Sequence, residues 1–277
     1  MTASVSGLDR AVRVALGFWL VGWMVKAAYL LDLFGRVGMG TTLVVDGMPE
    51  VLWHPFVALA AYVIPLAAIP LGIVRGGRVA AACAAVGALC SLALLLHVSA
   101  YNDATFVTAF WAGLWITWLA TRGDVEAEAW GPRLAQGLLA LTFLGGTLGK
   151  LTPEYLSGEV LYHVYFLQKQ TLFYPWLRDA LDPEALRSFA TVFSWGVIGT
   201  EAALATSVFW RPRIALWACA AVCTAMVAGS TVYLASVMAP LVGVCAGGLL
   251  VRGMSPAASM AWGRQSASVS LGIGRPS

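Results

Sequence analysis

Charge is what this sequence has least of. Asp, Glu, Lys and Arg make up 11% of its 277 residues and the mean hydropathy is +0.79, whereas an ordinary soluble domain is about 25% charged. That shortage excludes a water-soluble globular chain. With 60% of the residues hydrophobic, the fold class is all-α: a polytopic integral membrane helical bundle, in which every backbone polar group is satisfied within its own helix. There is no basic run either. The net charge of +3 is spread over connecting segments, so nucleic-acid binding is excluded. Cysteine is sparse and badly placed for a metal or a disulfide framework. Cys83, Cys90, Cys219, Cys223 and Cys245 all fall in apolar stretches, where cysteine behaves as a small hydrophobe. Cys219 and Cys223 share a helix face, but no histidine or carboxylate joins them on that helix, and no metal centre is expected.

What is present is a series of apolar runs long enough to cross ~30 Å of hydrocarbon, about 20 residues each. They cover 12–34, 52–74, 79–97, 105–120, 134–151, 189–209, 214–229 and 232–251, which gives about eight transmembrane helices. The first run is too long for a signal-peptide core and is read as a retained span. Pro65 and Pro70 fall inside the second, where a membrane helix kinks rather than ends. Arg10 and Arg13, Arg75 and Arg78, Arg122 and Arg133, Arg211 and Arg213, and Arg252 and Arg264 all fall on one side of an eight-span chain. The positive-inside rule makes that side cytoplasmic, both termini included, and places the protein in the plasma (inner) membrane. Residues 1–254 are thus one multi-span domain, and 255–277, rich in Ser, Gly and Ala, a disordered cytoplasmic tail.

The opposite side collects the chemistry. It holds Asp46, Asn102, Asp103, Lys150, the three histidines His54, His97 and His163, and the long segment 152–188. This segment carries Tyr155, Tyr162, Tyr165, Phe166, Phe173, Tyr174 and Trp176. Leu156, Val160, Leu161, Val164 and Leu167 recur in it at helical spacing, so part of it should be an interfacial amphipathic helix, serving either as an aromatic belt or as a lid. Leu181-Asp182-Pro183-Glu184 reads as a helix start with an Asp cap and Pro in the first turn. The three histidines have no i,i+4 partner of the helical metal type.

The most strongly patterned stretch is GGTLGKLTPEYLSG, from Gly145 to Gly158. Lysine is scarce here, yet Lys26 and Lys150 both lie in or at the rim of apolar runs. Lys150 has two readings. It either snorkels to the interface while Gly145 and Gly149 pack as a small-xxx-small pair, or it is an intramembrane functional group with a partner. Glu201, about thirteen residues into the sixth span, should be paired, with Lys26, Trp or Thr donors, or a ligand as candidates. Two halves, each with an arginine, a lysine-bearing helix, a long outer connection and a short basic turn, suggest two four-helix repeats.

Thr147-Leu148-Gly149-Lys150-Leu151, followed by Tyr155 and Gly158, resembles a motif of the horizontally transferred transmembrane (HTTM) domains, the membrane part shared with vitamin K-dependent γ-glutamyl carboxylases. Glu201 followed by Arg211-Pro212-Arg213, Asn102 and Asp32-Leu33-Phe34-Gly35 are similar to further family features. DoxX-like four-helix proteins carry a similar Gly-Lys-Leu helix end. The resemblance implies that Lys150 is a candidate base acting on a quinone or reduced vitamin K-like cofactor, with Asn102, Asp103 and His163 orienting. It also implies Tyr155, Gly158 and Glu201 as cofactor-binding residues. The chain departs from the carboxylases at Asp103, where they have histidine, and at Cys223 and Thr224, where a seventh-span histidine is expected. No counterpart of their large extramembrane substrate-binding part is expected, so the resemblance points to a quinone- or lipid-handling relative more than to carboxylation of protein glutamates.

Three functions fit these residues. One is an enzyme with an outward-facing cleft for a lipophilic molecule. A second is a non-catalytic subunit or anchor that assembles membrane-protein partners through glycine-rich faces. The third is a transporter using Glu201 and Lys26. The lipid bilayer is the partner common to all three.

Overall fold

A computed structural model describes residues 6–37, 49, 51, 54–96, 104–169, 173–229 and 233–252. Among these residues the chain is helical throughout its regular structure. The long helices are α1 (Gly7–Val37), α2 (Pro55–Arg75), α3 (Gly77–Leu96), α4 (Ala104–Ala120) and α5 (Asp124–Gly149). Next come two short ones, α6 (Pro153–Leu156) and α7 (Phe173–Ala180), with a π-helical turn Leu161–Phe166 between them. The chain then continues through α8 (Pro183–Ala205), a 3-10 turn Thr206–Phe209, α9 (Pro212–Gly229) and α10 (Leu234–Arg252).

Six of these helices, α1, α2, α3, α8, α9 and α10, are long and apolar enough to cross a membrane, which makes this a multi-pass α-helical membrane protein. α4 is apolar but shorter, at 17 residues. α5 is long enough, but Arg133, Gln136 and its glycines dilute the apolar run. Several helices begin before the apolar residues do. α8 starts at Pro183 rather than 189, because Asp182 Oδ1 accepts from the backbone N–H groups of Glu184 and Ala185 at 3.0 and 2.8 Å. α2 runs unbroken through Pro65 and Pro70.

The centre of the bundle is the pair α1 and α10, the most extensively packed helices. α1 buries Leu8, Ala11, Val12, Ala15, Leu16, Trp19 and Trp23, a 3.6-residue stripe. Close approach is made by glycine: a methyl at Gly243 would lie 2.9 Å from the Ala15 carbonyl oxygen, and one at Gly247 would lie 3.2 Å from that of Ala11. The small-xxx-small pair that packs helices is therefore Gly243 and Gly247. Gly145 and Gly149, expected in that role, have open space around them. Trp19 fills a slot between Gly87 of α3 and Gly113 of α4, and the Trp23 indole N–H donates to the Tyr62 carbonyl at 3.0 Å.

One end of the bundle gathers the short basic connections. Asp9 accepts from Arg13 Nε at 2.7 Å and from the Gly77 backbone N–H at 3.1 Å, joining the start of α1 to the α2–α3 turn. Ala11 meets Gly247 near the end of α10, and Gly131 near the start of α5 meets Val251. Gln136 Nε2, deep in α5, donates to the carbonyls of Ser207 and Trp210 just before Arg211. The expectation that the basic segments share one end is met in this sense. The packing of the first four long helices, α1 on α2, α2 on α3, α3 on α4 and α1 on α4, recurs as α5 on α8, α8 on α9, α9 on α10 and α5 on α10. The expected tail at 255–277 and the acidic residue Asp46 lie outside the described residues.

Candidate functional site

At the opposite end of the bundle, which also holds Arg178 and Arg187, α4, α5, α8, α9 and α10 splay around a cavity of about 1000 Å³. Its walls are apolar and aromatic, including Trp111, Phe193, Met226 and Met238, and its roof is made by the segment between α5 and α8 through Tyr155, Leu161, Tyr165 and Tyr174. Two charged residues line it, Lys150 and Glu201.

Lys150 is the C-cap of α5. A helical side chain leans toward the N-terminus of its helix, so a lysine at the last turn of α5 points back into the bundle. Its Nζ donates to the Gly146 carbonyl at 3.2 Å and to Glu201 Oε1 and Oε2 at 2.9 and 2.7 Å. The Glu201 side chain is 5% exposed and that of Lys150 24%. Of the two readings of Lys150 the geometry matches the one with a partner, and Glu201 is paired, but with a residue outside its expected candidates. Lys150 does not snorkel outward, and the partner of Glu201 is Lys150. Lys26 instead lies 5.5 Å over the Phe106 ring. The close approach is set by Gly146, where a methyl would fall 3.1 Å from Glu201 Oε2 and 3.5 Å from Lys150 Nζ.

Tyr155 completes the polar corner, its ring 5.9 Å from Lys150 Nζ. Burial pushes its phenol above the ordinary tyrosine value, and the Glu201 carboxylate and Tyr165 add to the push. The roof is fastened to α8. Ser194 Oγ donates to the Tyr155 carbonyl and Thr191 Oγ1 to that of Ser157 at 2.6 Å. Gly158 has φ +83°, and a methyl there would fall 2.5 Å from the Thr191 backbone nitrogen, so no other residue fits. Tyr174 O–H donates to the Gly229 carbonyl at 2.6 Å, tying the roof to the end of α9. Burial raises the Tyr174 phenol to about 12, helped by Tyr165.

The roof itself departs from the expected amphipathic helix. Leu161, Tyr162 and Phe166 are buried, whereas Val164 and Leu167 are exposed, because the π-turn shifts which residues share a face. Phe166 stacks with Phe189 and meets Phe193 and Tyr174.

The structure thus brings together Lys150, Glu201 and Tyr155, with Gly158 seating the roof. His163 is apart from them: its Nε2 lies 2.8 Å from Glu159 Oε2, while Arg187 Nε approaches Glu159 Oε1 at 3.2 Å, and it does not line the cavity. His54 caps α2, accepting from the Phe56 N–H at 3.3 Å. Asn102, Asp103 and His97 lie outside the described residues, although Ala104, next in the chain, lines the cavity. Gly146, Thr191 and Ser194 carry no sequence signal of their own. Gly146 was visible only as one glycine among several. Comparison with protein-family models, with curated proteins and with solved structures gives no match.

Proposed function

We propose that the cavity binds a lipophilic, quinone-like molecule and that the Lys150–Glu201 pair exchanges a proton with it, in an arrangement like that of the HTTM domains. In this reading α4 and α5 also cross the bilayer, giving eight spans in two four-helix units. The arginine-rich end and both termini are cytoplasmic in the inner membrane, so the cavity faces outward. The observation that carries it is a buried ion pair, 2.7 Å at its shortest, on the wall of an otherwise apolar and aromatic cavity of about 1000 Å³. Such a cavity suits a ring with one polar edge.

A bound quinone would supply redox chemistry, and the residues would hold and move the proton. Passing the shared proton from Lys150 Nζ to the Glu201 carboxylate leaves a neutral amine, the form that can accept a proton from a ligand hydroxyl. Neither charge then needs to be exposed to lipid. Tyr155 borders the pair, and Asn102 and Asp103 are assigned orienting roles by resemblance alone.

The test is amine labelling of Lys150 in membranes, read by peptide mass spectrometry against Lys169, with and without a short-tailed naphthoquinone. Saturable protection of Lys150 alone supports the reading. Equal labelling of Lys150 at all quinone concentrations would remove it. A second reading, a non-catalytic subunit that assembles partners, is favoured by one observation: Gly145 and Gly149 of α5 and Gly196 and Gly199 of α8 have nothing within 4 Å of where a side chain would start. Stable co-purification of a membrane protein, lost in Gly149→Leu, would favour it, and strictly monomeric behaviour counts against it.

A further inference from the structure

A second space, unrelated to the ion pair, opens at the basic end and runs along α9. Between α9 and α10, on the outer surface of the bundle, runs a groove of about 1030 Å³. Its floor is built of small and apolar side chains, among them Ala221, Ala228 and Ala246. The hydroxyl of Thr224, which also lines it, is turned to its own helix and donates to the Ala220 carbonyl at 2.8 Å. From Arg213 to Ala228 the groove follows α9 for ~22 Å at 1.5 Å per residue, longer than one leaflet's half of a ~30 Å hydrocarbon core. At the arginine-rich end it is bounded by Arg213 on α9 and Arg252 on α10. Neither guanidinium has an acidic partner among the described residues.

We infer that this groove is a binding site for an anionic phospholipid, with an acyl chain along the alanine floor and the phosphate between Arg213 and Arg252. The charge pattern selects this occupant. A guanidinium presents a planar donor fork that matches a phosphate, and two of them stand at the one end of the groove where a headgroup would lie. A second copy of the chain seated here about an axis normal to the membrane would set the two pairs of arginines against each other. A zwitterionic lipid such as phosphatidylcholine also has a phosphate, but its choline cation would lie beside the two guanidiniums, so a headgroup of net negative charge is favoured.

The experiment uses the full chain in nanodiscs of phosphatidylcholine containing a minor fraction of phosphatidylglycerol with the same acyl chains. The lipid that stays bound is counted by native mass spectrometry. Basic residues near the membrane surface contribute roughly fivefold each toward anionic lipid, so wild type should enrich phosphatidylglycerol about 30-fold. Arg213→Gln/Arg252→Gln should abolish the enrichment, and Ala221→Trp, which fills the groove and leaves both arginines, should release both lipids. The arginines are exposed, so their replacement leaves the packing intact, and an unchanged thermal midpoint checks it. Equal retention of the two lipids by wild type, enrichment that survives either variant, or a dimer that cross-links through Thr224→Cys would each overturn the assignment.

Discussion

Lys150 cannot be replaced without deciding what becomes of Glu201. The carboxylate is almost wholly buried and takes two hydrogen bonds from one ammonium, so either single change strands a charge. Lys150→Met or Glu201→Leu should each destabilise the folded protein, and the cost of breaking a buried pair from one side is about 3–5 kcal/mol for a stranded charge. Lys150→Met/Glu201→Leu removes both charges and should recover most of the loss while abolishing ligand protection. Thermal midpoints in detergent for the four proteins form the double-mutant cycle, and additive effects would mean that the two groups are not coupled. Both residues were legible as intramembrane charges, but their pairing was not, since 51 positions separate them. The glycines show the same limit. Successive helical residues are rotated by about 100°, so a one-residue choice among Gly145, Gly146 and Gly149 decides which faces the bundle, and only the helix's rotation settles it.

The roof, residues 153–169 and 173–180, covers one end of the cavity. Asp182 and Pro183 were readable because capping is local chemistry,. The π-turn was not, since its buried Tyr162 and Phe166 are chosen by α7 and α8 rather than by the spacing of apolar residues. Two roof tyrosines have phenols raised from 10.0, Tyr174 to about 12 and Tyr155 further in the same direction. Above pH 10 a detached roof releases these protons while a seated roof retains them. The seated state is therefore undisturbed below about pH 10 and loses stability as pH rises toward 12, by up to about 1.4 kcal/mol per pH unit for each tyrosine. Amide exchange of the roof should be flat up to pH 10, once corrected for intrinsic rate, and accelerate beyond it, with a smaller change in Tyr174→Phe. Protection that persists to pH 12 would show that the two phenols do not hold the roof down.

For the whole molecule, hydropathy and arginine placement were enough to read a helical membrane bundle with its basic segments at one end. They did not reveal which helices form its centre. α10 looks like any other apolar run, and its glycines matter because α1, α4 and α9 lie against them. The proposed orientation is open to a direct check, since the native cysteines are all buried and free. A membrane-impermeant thiol reagent added to intact cells should label Glu154→Cys in the roof and spare Thr121→Cys at the basic end, both of them exposed positions. The opposite pattern would invert the topology.

The intimacy of α1 with α10 also sets a timetable. α1 is made before every other helix described, yet the surface it is shaped for belongs to the last of them. At ~5–20 residues per second, it must wait in the bilayer for tens of seconds with its Ala11, Ala15 and Gly22 face attended only by lipid or by the earlier helices. α10 completes the assembly of the described helices, so a ribosome that stalls before it leaves a set of spans without its central partner.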